Sequence, residues 1–375
     1  MEWVKLGDIA EILDSRRIPL NKQEREKKQE KSLYPYCGAN GIVDYIDEYI
    51  FDESEIILCV AEDGGTWGHQ EECCYIMNER CWVNNHAHVL SNFSQVDIKF
   101  IYYYLNFVNL NSYITGTTRG KLTKKSLMEI KIPKLNAEVQ KRIVKSLDII
   151  MDSVTKRREQ IDALDALVES VFQGLLDSPN LKEVVLNDVI LDRPCRLDSD
   201  NEEPISYFDI SSVNNKTHDI ISEKTICKVE DRPGRAKQLI QSNDILVSNV
   251  RPNLKNIAYF RFDSSFTPVA STGFTVLRAD SSKINPLFLY SFAISDEFTN
   301  KLMMKSTGAN YPAVSEKEIR RIRVPLPKLE VQNRFADYVT SIEVQKESLR
   351  TSLAELETLF DALMQAAFSG HLNQS

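Results

Sequence analysis

The sequence predicts an α+β fold in which two mixed α/β domains alternate with two long helices. Three observations point to this fold. A stretch from Ile132-Pro133 to Phe172-Gln173-Gly174 recurs, with changes, from Val324-Pro325 to Phe368-Ser369-Gly370. Both copies carry a heptad pattern, and the segments before them repeat the same order of strands and helices. The chain is therefore predicted to be an internal pseudo-two-fold repeat.

Both long helices carry apolar residues at alternating spacings of four and three, which is the pattern of a coiled-coil seam. Corresponding seam positions lie 192 residues apart, as Ile143 and Phe335 do. A helix of roughly 40 residues is about 60 Å long, and its seam needs a partner in water. We expect the helices to pair as an antiparallel coiled coil; the alternative is that each packs on its own domain. The predicted seam residues are Ile143, Leu147, Ile150, Val154, Arg157, Ile161 and Leu164 in the first helix and Phe335, Val339, Ile342, Lys346, Leu349, Leu353 and Leu356 in the second.

Cations occupy two of these seam positions, Arg157 in the first helix and Lys346 in the second. A cation within an apolar seam needs acidic neighbours. We expect the two cations to lie close together in an antiparallel pair and to fix its register. The carboxylates available to them are Asp152, Glu159, Glu343 and Glu347.

The segments before the two helices show the same order of secondary-structure elements. Apolar runs at 55–61 and 244–247 indicate a buried strand in each. Ser126 and Ser315, each followed by Glu three residues later, show capping-box spacing. The predicted boundaries are 1–133 for the first domain, 134–177 for the first long helix, 178–325 for the second domain and 326–375 for the second long helix.

The composition suits packed globular domains, since 42% of the 375 residues are hydrophobic and 27% are charged. No apolar run approaches the roughly 20 residues of a membrane-spanning helix. The first residues, Met1-Glu2-Trp3-Val4-Lys5, lack the form of a signal peptide. Seven cysteines without a CxxC pair favour reduced thiols. We therefore expect a cytoplasmic protein that does not bind a membrane.

Charge is distributed unevenly along the chain. The net charge of −8 argues against a protein whose whole surface grips nucleic acid. Residues 1–133 carry 15 basic and 20 acidic side chains, whereas residues 178–325 carry 20 basic and 19 acidic ones. Any surface that binds nucleic acid is therefore expected to be a local patch.

The duplicated frame resembles the specificity subunits of type I restriction–modification enzymes, and the resemblance extends over the whole chain. It rests on the repeated Ile/Val-Pro, Glu-Val-Gln and Phe-x-Gly elements and on the Gly-Thr-Thr and Thr-Gly-Ala loops before the helices. It also rests on the openings Val4-Lys5-Leu6-Gly7-Asp8 and Val184-Val185-Leu186-Asn187-Asp188.

This resemblance implies that each mixed domain is a target-recognition domain, which reads one half of a bipartite, asymmetric site in double-stranded DNA. It implies that the long helices hold two DNA-adenine methyltransferase subunits, and that a restriction translocase–nuclease subunit can join them. It also implies that the chain is not catalytic and has no cofactor, because S-adenosylmethionine and ATP would belong to partner subunits.

The motifs of such catalytic partners are missing from the sequence. There is no Asn/Asp-Pro-Pro-aromatic motif of an amino-methyltransferase. The run from Gly116 to Lys121 has three residues between its glycines where a phosphate-binding loop needs four. Leu122 also stands where that loop needs Ser or Thr. ATP binding at this run is therefore not expected.

Basic, amide and aromatic side chains in loops are the candidates for contacts with DNA. The loop after the buried strand is acidic at Glu62 and Asp63 in the first domain. In the second domain it carries Arg251, which suits guanine O6 and N7. Basic runs near the end of each domain suit phosphates or a solvated face, and Trp67 and Tyr311 suit base stacking or core packing. The predicted DNA-contacting residues are Thr66, Trp67, His69, Gln70, Asn84, Asn85, His86, Arg119, Lys121, Lys124, Arg251, Asn253, Lys255, Lys305, Asn310, Tyr311 and Arg320.

Two other classes of function stay open on the sequence alone. One is a coiled-coil adaptor that does not bind DNA. The other is a zinc-dependent nuclease, because side chains of the zinc-ligand types cluster in one short stretch of the first domain. The lack of a CxxC pair argues against zinc, and buried cysteines are the simpler interpretation. The clustered residues are His69, Cys73, Cys74, Cys81, His86 and His88.

Overall fold

The computed structural model describes residues 2–94, 96–116, 118–178, 181–198, 200–308 and 311–368. The chain forms two compact units, one of Met1–Arg158 with Thr351–Ser375 and one of Glu159–Arg350. Each unit therefore contains one mixed α/β domain and part of each long helix. Within the described residues, no helix is both long enough and apolar enough to cross a lipid bilayer.

The first domain is built from short strands and helices. Its strands are β1 (Trp3–Lys5), β2 (Glu11–Ile12), β3 (Tyr34–Gly38), β4 (Gly41–Ile46), β5 (Ile57–Ala61), β6 (Cys74–Met77), β7 (Trp82–Val83), β8 (Ala87–Ser91), β9 (Ile114–Thr115), β10 (Lys121–Leu122) and β11 (Lys131–Pro133). Its helices are α1 (Leu6–Ile9), α2 (Lys22–Glu26), α3 (Ile98–Phe107) and α4 (Lys124–Met128), and the first long helix, α5 (Ala137–Leu176), follows them.

Strand β5 is the central strand of this domain, and all five of its residues are buried. It pairs antiparallel with β6 and β8 in a sheet of order β2-β8-β5-β6, and a second sheet has the order β4-β3-β7. The core joins the larger sheet to α3 through Leu58, Leu90 and Phe100. β1 and β11 pair antiparallel, so the first and last strands close the domain.

The second domain repeats this plan. Its strands are β12 (Lys182–Val185), β13 (Ile205–Phe208), β14 (Lys224–Ile226), β15 (Ala236–Leu239), β16 (Ile245–Ser248), β17 (Ile257–Tyr259), β18 (Thr267–Ser271), β19 (Phe274–Leu277) and β20 (Arg323–Leu326). Its helices are α6 (Pro286–Ile294), α7 (Asp296–Lys305) and α8 (Glu316–Arg320), and the second long helix, α9 (Leu329–Phe368), follows them.

Strand β16 takes the central place that β5 has in the first domain. All four of its residues are buried, and it lies between β17 and β19. A second sheet has the order β14-β13-β18-β15. β12 pairs antiparallel with β20, as β1 does with β11. The predicted pair of mixed α/β domains is therefore confirmed, and the structure adds that a pair of antiparallel strands closes each of them.

A buried glutamine in each Glu-Val-Gln element ties a long helix to its domain. The Gln140 amide oxygen accepts a hydrogen bond from the backbone N–H of Asp97 at 2.9 Å, and its amide nitrogen donates to the backbone carbonyl five residues earlier at 2.8 Å. Gln332 makes the same two bonds, with the N–H of Asn285 and the carbonyl five residues earlier, both at 2.8 Å. Asp97 and Asn285 are the N-caps of α3 and α6. Each glutamine therefore joins the start of a long helix to the start of a domain helix.

In the first unit, the beginning of α5 and the end of α9 lie antiparallel. Leu147 of α5 and Met364 of α9 belong to the same hydrophobic core. Nearer the middle of both helices, Arg158 donates to Glu357 at 2.6 Å. The core that contains these helix segments also contains α3 residues. In this unit, helix pairing and packing on the domain therefore occur together.

In the second unit, the end of α5 and the beginning of α9 also lie antiparallel. The ring centroids of Phe172 and Phe335 are 5.5 Å apart, and Asp165 pairs with Lys346 nearer the helix middles. Phe172 also contacts Phe288 of α6, with 5.4 Å between the ring centroids. Phe172 is buried, and its neighbour Val171 is half-buried against the same core.

The predicted seam residues lie in the interior or at its margin. Those that are buried are Ile143, Leu147, Ile150, Val154, Phe335, Val339, Ile342 and Lys346. Those that are half-buried are Arg157, Ile161, Leu164, Leu349, Leu353 and Leu356.

The seam cation Lys346 finds its acidic partners within its own unit. Its ammonium contacts Glu343 at 2.9 Å, which the sequence predicted, and Asp165 at 2.5 Å, which it did not. Burial alone would lower the pKa of Lys346, but the hydrogen bonds to these two carboxylates outweigh burial and raise it.

One capping prediction is wrong. Helix α8 begins after Ser315, whose hydroxyl accepts a hydrogen bond from the N–H of Glu318, as predicted. In the first domain the N-cap is Thr123, which accepts from the N–H of Ser126, so Ser126 lies inside α4. Thr123 stands 192 residues before Ser315. The period of the duplication identifies the cap correctly, whereas the local spacing does not.

Candidate functional site

A short antiparallel hairpin precedes the last helix of each domain, and the paired residues of the two hairpins correspond. In hairpin 1 (residues 114–122), Thr115 pairs with Lys121. In hairpin 2 (residues 306–314), the equivalent residues of the second repeat, Thr307 and Ala313, form an antiparallel bridge. The duplication is therefore preserved in the backbone of these loops.

A glycine with positive φ begins the tip of each hairpin. The φ angle is +97° at Gly116 and +94° at Gly308, a region that favours glycine. An added Cβ would lie 2.5 Å from the carbonyl oxygen of Arg119 in hairpin 1 and 2.9 Å from that of Tyr311 in hairpin 2. The tight tips present these two residues to solvent, with the Arg119 side chain 67% exposed and Tyr311 71% exposed.

Each hairpin is attached to the loop that follows the central strand of its domain. Asp63, after β5, forms an antiparallel bridge with Lys121, and Val250, after β16, forms the corresponding bridge with Ala313. In both domains the same backbone pairing thus joins this loop to the hairpin. Tip surface 1 is the described part of hairpin 1 together with residues 62–65 and 84–86. Tip surface 2 is the described part of hairpin 2 together with residues 249–255.

Polar side chains converge on Asp63 in tip surface 1. Its carboxylate lies 2.6 Å from His86 Nδ1 and accepts a hydrogen bond from Arg119 Nη2 at 3.0 Å. Asn40, in the turn between β3 and β4, donates to the carbonyl of Gly64 at 3.1 Å. The sequence analysis predicted His86 and Arg119 and missed Asn40. The Asn40-Gly41 dipeptide between apolar runs indicates a hairpin turn and was the pattern that could have found it.

A buried ionic cluster supports this surface. The Glu62 carboxylate pairs with Lys121 at 2.8 Å and with Arg17 at 2.7 Å. The ring of His88 lies 2.6 Å from the Asp14 carboxylate through Nδ1 and 2.7 Å from a backbone carbonyl of β10 through Nε2. Since His88 belongs to β8, it attaches hairpin 1 to the central sheet.

Burial and ion pairing act in opposite directions on these carboxyl groups. Burial alone would raise the pKa of Glu62, but hydrogen bonds from Lys121 and Arg17 outweigh burial and lower it. Burial would also raise the pKa of Asp14, and the hydrogen bond with His88 is the main reason that it is lowered instead. Both carboxyl groups are therefore ionised at neutral pH.

Asp14, Glu62 and His88 are the one set of three within the described residues whose ligand-type atoms lie within 4.8 Å of one another. A divalent cation there would compete with Arg17 and Lys121 for the same carboxylates. The residues considered for zinc do not converge. Cys73 and Cys74 lie in the main core of the domain, and Cys81 lies in a separate core. His69 contacts the carbonyl of Phe107, His86 contacts the carboxylate of Asp63, and His88 contacts the carboxylate of Asp14.

Four predicted contact residues of the first domain have interior or helix-facing partners. Trp67 is 7% exposed, and its indole N–H donates to a backbone carbonyl of β5 at 3.2 Å. Asn84 is buried and accepts from the N–H of His86 at 2.8 Å. His69 Nδ1 lies 2.8 Å from the last carbonyl of α3, and Gln70 donates to a carboxylate of α9 at 3.1 Å. For Trp67 and Asn84, burial corrects the prediction, because an interior side chain does not present an edge or face to a base.

Thr66, Asn85 and Lys124 are exposed, and their role in contacting DNA stays a prediction. Lys124 opens α4 and has no ion-pair partner among the residues that the structure describes.

Tip surface 2 is organised around Arg251. Its guanidinium carbon lies 4.5 Å from the centroid of the Tyr311 ring, and its backbone N–H donates to the carbonyl of Pro312 at 2.7 Å. Arg251 is exposed, and no carboxylate in the described ranges pairs with it. Arg251 and Lys255 have φ of +48° and +49° on either side of the turn Pro252–Leu254. Left-handed conformations at non-glycine residues cluster in functional loops.

The other candidates of the second domain are placed differently. Lys255 pairs with a carboxylate of α7 at 2.7 Å, and Lys305 pairs with one of α8 at 3.3 Å. Arg320 is buried and pairs with a carboxylate of its own helix at 2.9 Å, so it supports the domain and is not placed to contact a phosphate. Asn253 is exposed, and Asn310 lies outside the described residues.

The family model described as "Type I restriction modification DNA specificity domain" matches residues 1–163 and 185–358, which is most of the chain. A putative type I restriction enzyme specificity subunit of Haemophilus influenzae, S.HindORF215P, is 24% identical over 366 residues. That alignment covers 94% of this chain and 90% of the relative.

One solved structure agrees with this match at the level of the fold. The S subunit of a type I restriction–modification system from M. genitalium aligns over 98% of this chain and 96% of its own, with a TM-score of 0.60 and 16% identity. The HsdS subunit from Thermoanaerobacter tengcongensis is 34% identical over 50% of this chain and 48% of its own, with a TM-score of 0.41. The chain thus spans about half the length of this second protein in the match.

Proposed function

The chain belongs to the family of type I restriction–modification DNA specificity proteins, and from this premise we propose that its two tip surfaces read the two halves of one asymmetric, bipartite DNA target. It is a specificity subunit, a non-catalytic member of its enzyme. Its contribution in this proposal is to place the DNA, while partner subunits carry out the chemistry.

The observation that carries the proposal is a single backbone frame that presents two different sets of side chains. Arg119 and Tyr311 occupy the same position of the two hairpin tips. Arg119 is bound to Asp63, whereas Tyr311 lies under Arg251. In the major groove each base pair presents its own pattern of donors, acceptors and methyl groups. Unlike side chains at equivalent positions therefore select unlike half-sites.

In this proposal, two DNA-adenine methyltransferase subunits bind along the long helices. Leu167 of α5 and Leu359 of α9 are equivalent positions of the duplication, and they are 44% and 48% exposed. Equivalent apolar positions on the two repeats suit two copies of one partner. A restriction translocase–nuclease subunit joins when the system includes one. S-adenosylmethionine and ATP are bound by these partners, and the complex works in the cytoplasm on cellular DNA.

The test is to map methylated adenines in DNA that has been exposed to the complex of this chain with its methyltransferase. We expect one motif with two unlike half-sites and an unread gap between them. A continuous or strictly palindromic motif would contradict the proposal. The methyltransferase alone is the control and should leave no such motif. Salt-dependent binding of the complex to the mapped duplex separates this function from that of an adaptor without DNA binding.

A further inference from the structure

Exposed apolar side chains lie near Arg251 along the chain in tip surface 2, and no carboxylate among the described residues pairs with this arginine. Val250 and Leu254 flank Arg251 in the loop, and both are exposed. Helix α7 packs on the turn Pro252–Leu254, and its last turn contains Met303 and Met304, of which Met304 is 86% exposed. Hairpin 2 begins at the residue that follows α7. Exposed apolar groups gathered in this way mark surfaces that bind something.

The corresponding positions of tip surface 1 are polar. Asp63 takes the place of Val250, because each bridges to the equivalent residue of its hairpin. Lys121 stands where hairpin 2 has Ala313, and Arg119 stands where it has Tyr311. At these positions the duplication thus places ionised groups on one tip and apolar or aromatic groups on the other. The two tips should recognise chemically different features of DNA.

The major groove of DNA presents one apolar group, the C5 methyl of thymine. The forked guanidinium of arginine matches the O6 and N7 acceptors of guanine in the same groove. Resting on the proposed DNA-reading function, we propose that tip surface 2 recognises a thymine methyl next to a guanine. Arg251 binds the guanine edge, and the methyl contacts exposed apolar side chains of this loop and of the adjoining last turn of α7, where Met304 is the most exposed.

Tyr311 is a positioning residue in this arrangement. Its ring holds the guanidinium of Arg251 by a cation–π contact at 4.5 Å. An arginine fixed before DNA arrives loses less conformational freedom on binding. Tyr311→Phe keeps the ring and should leave recognition of the guanine unchanged, whereas Tyr311→Ala should weaken it.

The experiment uses the full chain with its methyltransferase and labelled duplexes that carry the mapped target. Each thymine is replaced in turn by deoxyuridine, which lacks only the C5 methyl. The half-site that belongs to the second domain is the one that Arg251→Ala relaxes. We expect one deoxyuridine in that half-site to weaken binding about fourfold, the factor given by the burial of one methyl-sized group. Replacing the neighbouring guanine with 7-deazaguanine should weaken binding by the wild type. The same replacement should leave binding by Arg251→Ala unchanged.

A variant identifies the side chain that contacts the methyl. Met304→Ser should bind the thymine and deoxyuridine duplexes equally, because the contact that tells them apart is gone. Ile221, also exposed and in the same unit, lies outside both tip surfaces and outside α7. Ile221→Ser is therefore the matched control and should keep the difference between the two duplexes.

Two results would overturn the inference. One is a second half-site in which no deoxyuridine weakens binding. The other is a Met304→Ser variant that keeps its sensitivity to deoxyuridine but assembles poorly with the methyltransferase, which would make the apolar surface a protein-binding one. A wild-type complex that shows no sequence preference on any duplex is a different outcome: it refutes the proposed function, and this inference with it.

Discussion

Gln140 and Gln332 occupy equivalent positions in the two repeats and make the same two hydrogen bonds. Arg119 and Tyr311 also occupy equivalent positions, and they make different contacts. The difference follows from burial. A buried amide must have its partners, so the interior of the frame tolerates little change. An exposed tip has no such requirement, so its side chains can differ while the backbone beneath them stays the same.

The largest expected effect comes from breaking one tip and leaving the other intact. Gly308→Val puts a branched side chain at a φ of +94°, with its Cβ 2.9 Å from the Tyr311 carbonyl oxygen. Strain of this kind costs about 1–3 kcal/mol before the clash is counted. We expect hairpin 2 to be displaced and methylation to lose specificity in one half-site only.

The matched control is Gly234→Val in the same unit. Gly234 is exposed, and an added Cβ there meets no atom within 4 Å. Methylation mapping should show an unchanged motif for this variant. If Gly308→Val relaxed both half-sites, or neither, the two tips would not act independently.

The next effect tests whether the two repeats depend equally on the hydrogen bonds of Gln140 and Gln332. Gln332→Leu leaves the Asn285 N–H and a buried carbonyl without their partner, which costs about 1–3 kcal/mol. Gln140→Leu should cost a similar amount, since it breaks the equivalent bonds. Urea unfolding, followed by circular dichroism, measures both changes. Gln345→Leu, at an exposed position of α9, is the control and should stay near the wild type. Very unequal losses of stability for Gln140→Leu and Gln332→Leu would show that these hydrogen bonds are not equivalent in the two repeats.

The ionic cluster under tip surface 1 should make the stability of the first unit depend on pH. The pKa of Glu62 is lowered in the folded chain, so its stabilisation is present above the ordinary value of 4.5 and is lost as pH falls through the folded pKa. We expect Glu62→Gln to lower the melting temperature at pH 7 and to differ less from the wild type as the pH falls below 4.5 and through the lowered pKa of Glu62. Glu79→Gln, at an exposed position of the same unit, should show no such trend. A Glu62→Gln deficit that grows in acid would contradict this interpretation.

The smallest effect is expected at the seam cation. Lys346 is buried, but its partners Asp165 and Glu343 have side chains that are 57% and 39% exposed, so both stay hydrated when the cation is removed. Replacing a buried ion with an apolar residue of similar size is often neutral or stabilising. Lys346→Met should therefore lie within about 1 kcal/mol of the wild type in urea unfolding, or be more stable. A loss of several kcal/mol would show that the ion pair is essential to the fold.

Local patterns in the sequence were sufficient to predict the frame. Apolar runs identified the buried strands β5 and β16, and the heptads identified α5 and α9, because buried positions in strands and helices are occupied by apolar residues in characteristic patterns. The cap at Thr123 was missed because Ser126 also has capping spacing. The period of the duplication would have decided between them, since Ser315 is the cap in the other repeat.

The tips could be predicted only in part, because their side chains meet through long-range backbone pairing. Arg251 reaches Tyr311 only after Val250 has paired with Ala313, which lies far from it along the chain. Residue type does not reveal exposure either. Trp67 and Tyr311 are both loop aromatics in the sequence, and one is buried while the other is 71% exposed.

The central claim is that each tip surface reads its own half of one target. Methylation mapping with two single variants, Arg119→Ala and Arg251→Ala, tests it most directly. A lost bidentate contact between arginine and guanine reduces discrimination by about 1–3 kcal/mol at one position. The account predicts that Arg251→Ala relaxes one half-site, that Arg119→Ala changes at most the other, and that neither affects both. Relaxation of the same half-site by both variants would contradict it, as would a uniform loss of methylation that leaves the motif unchanged.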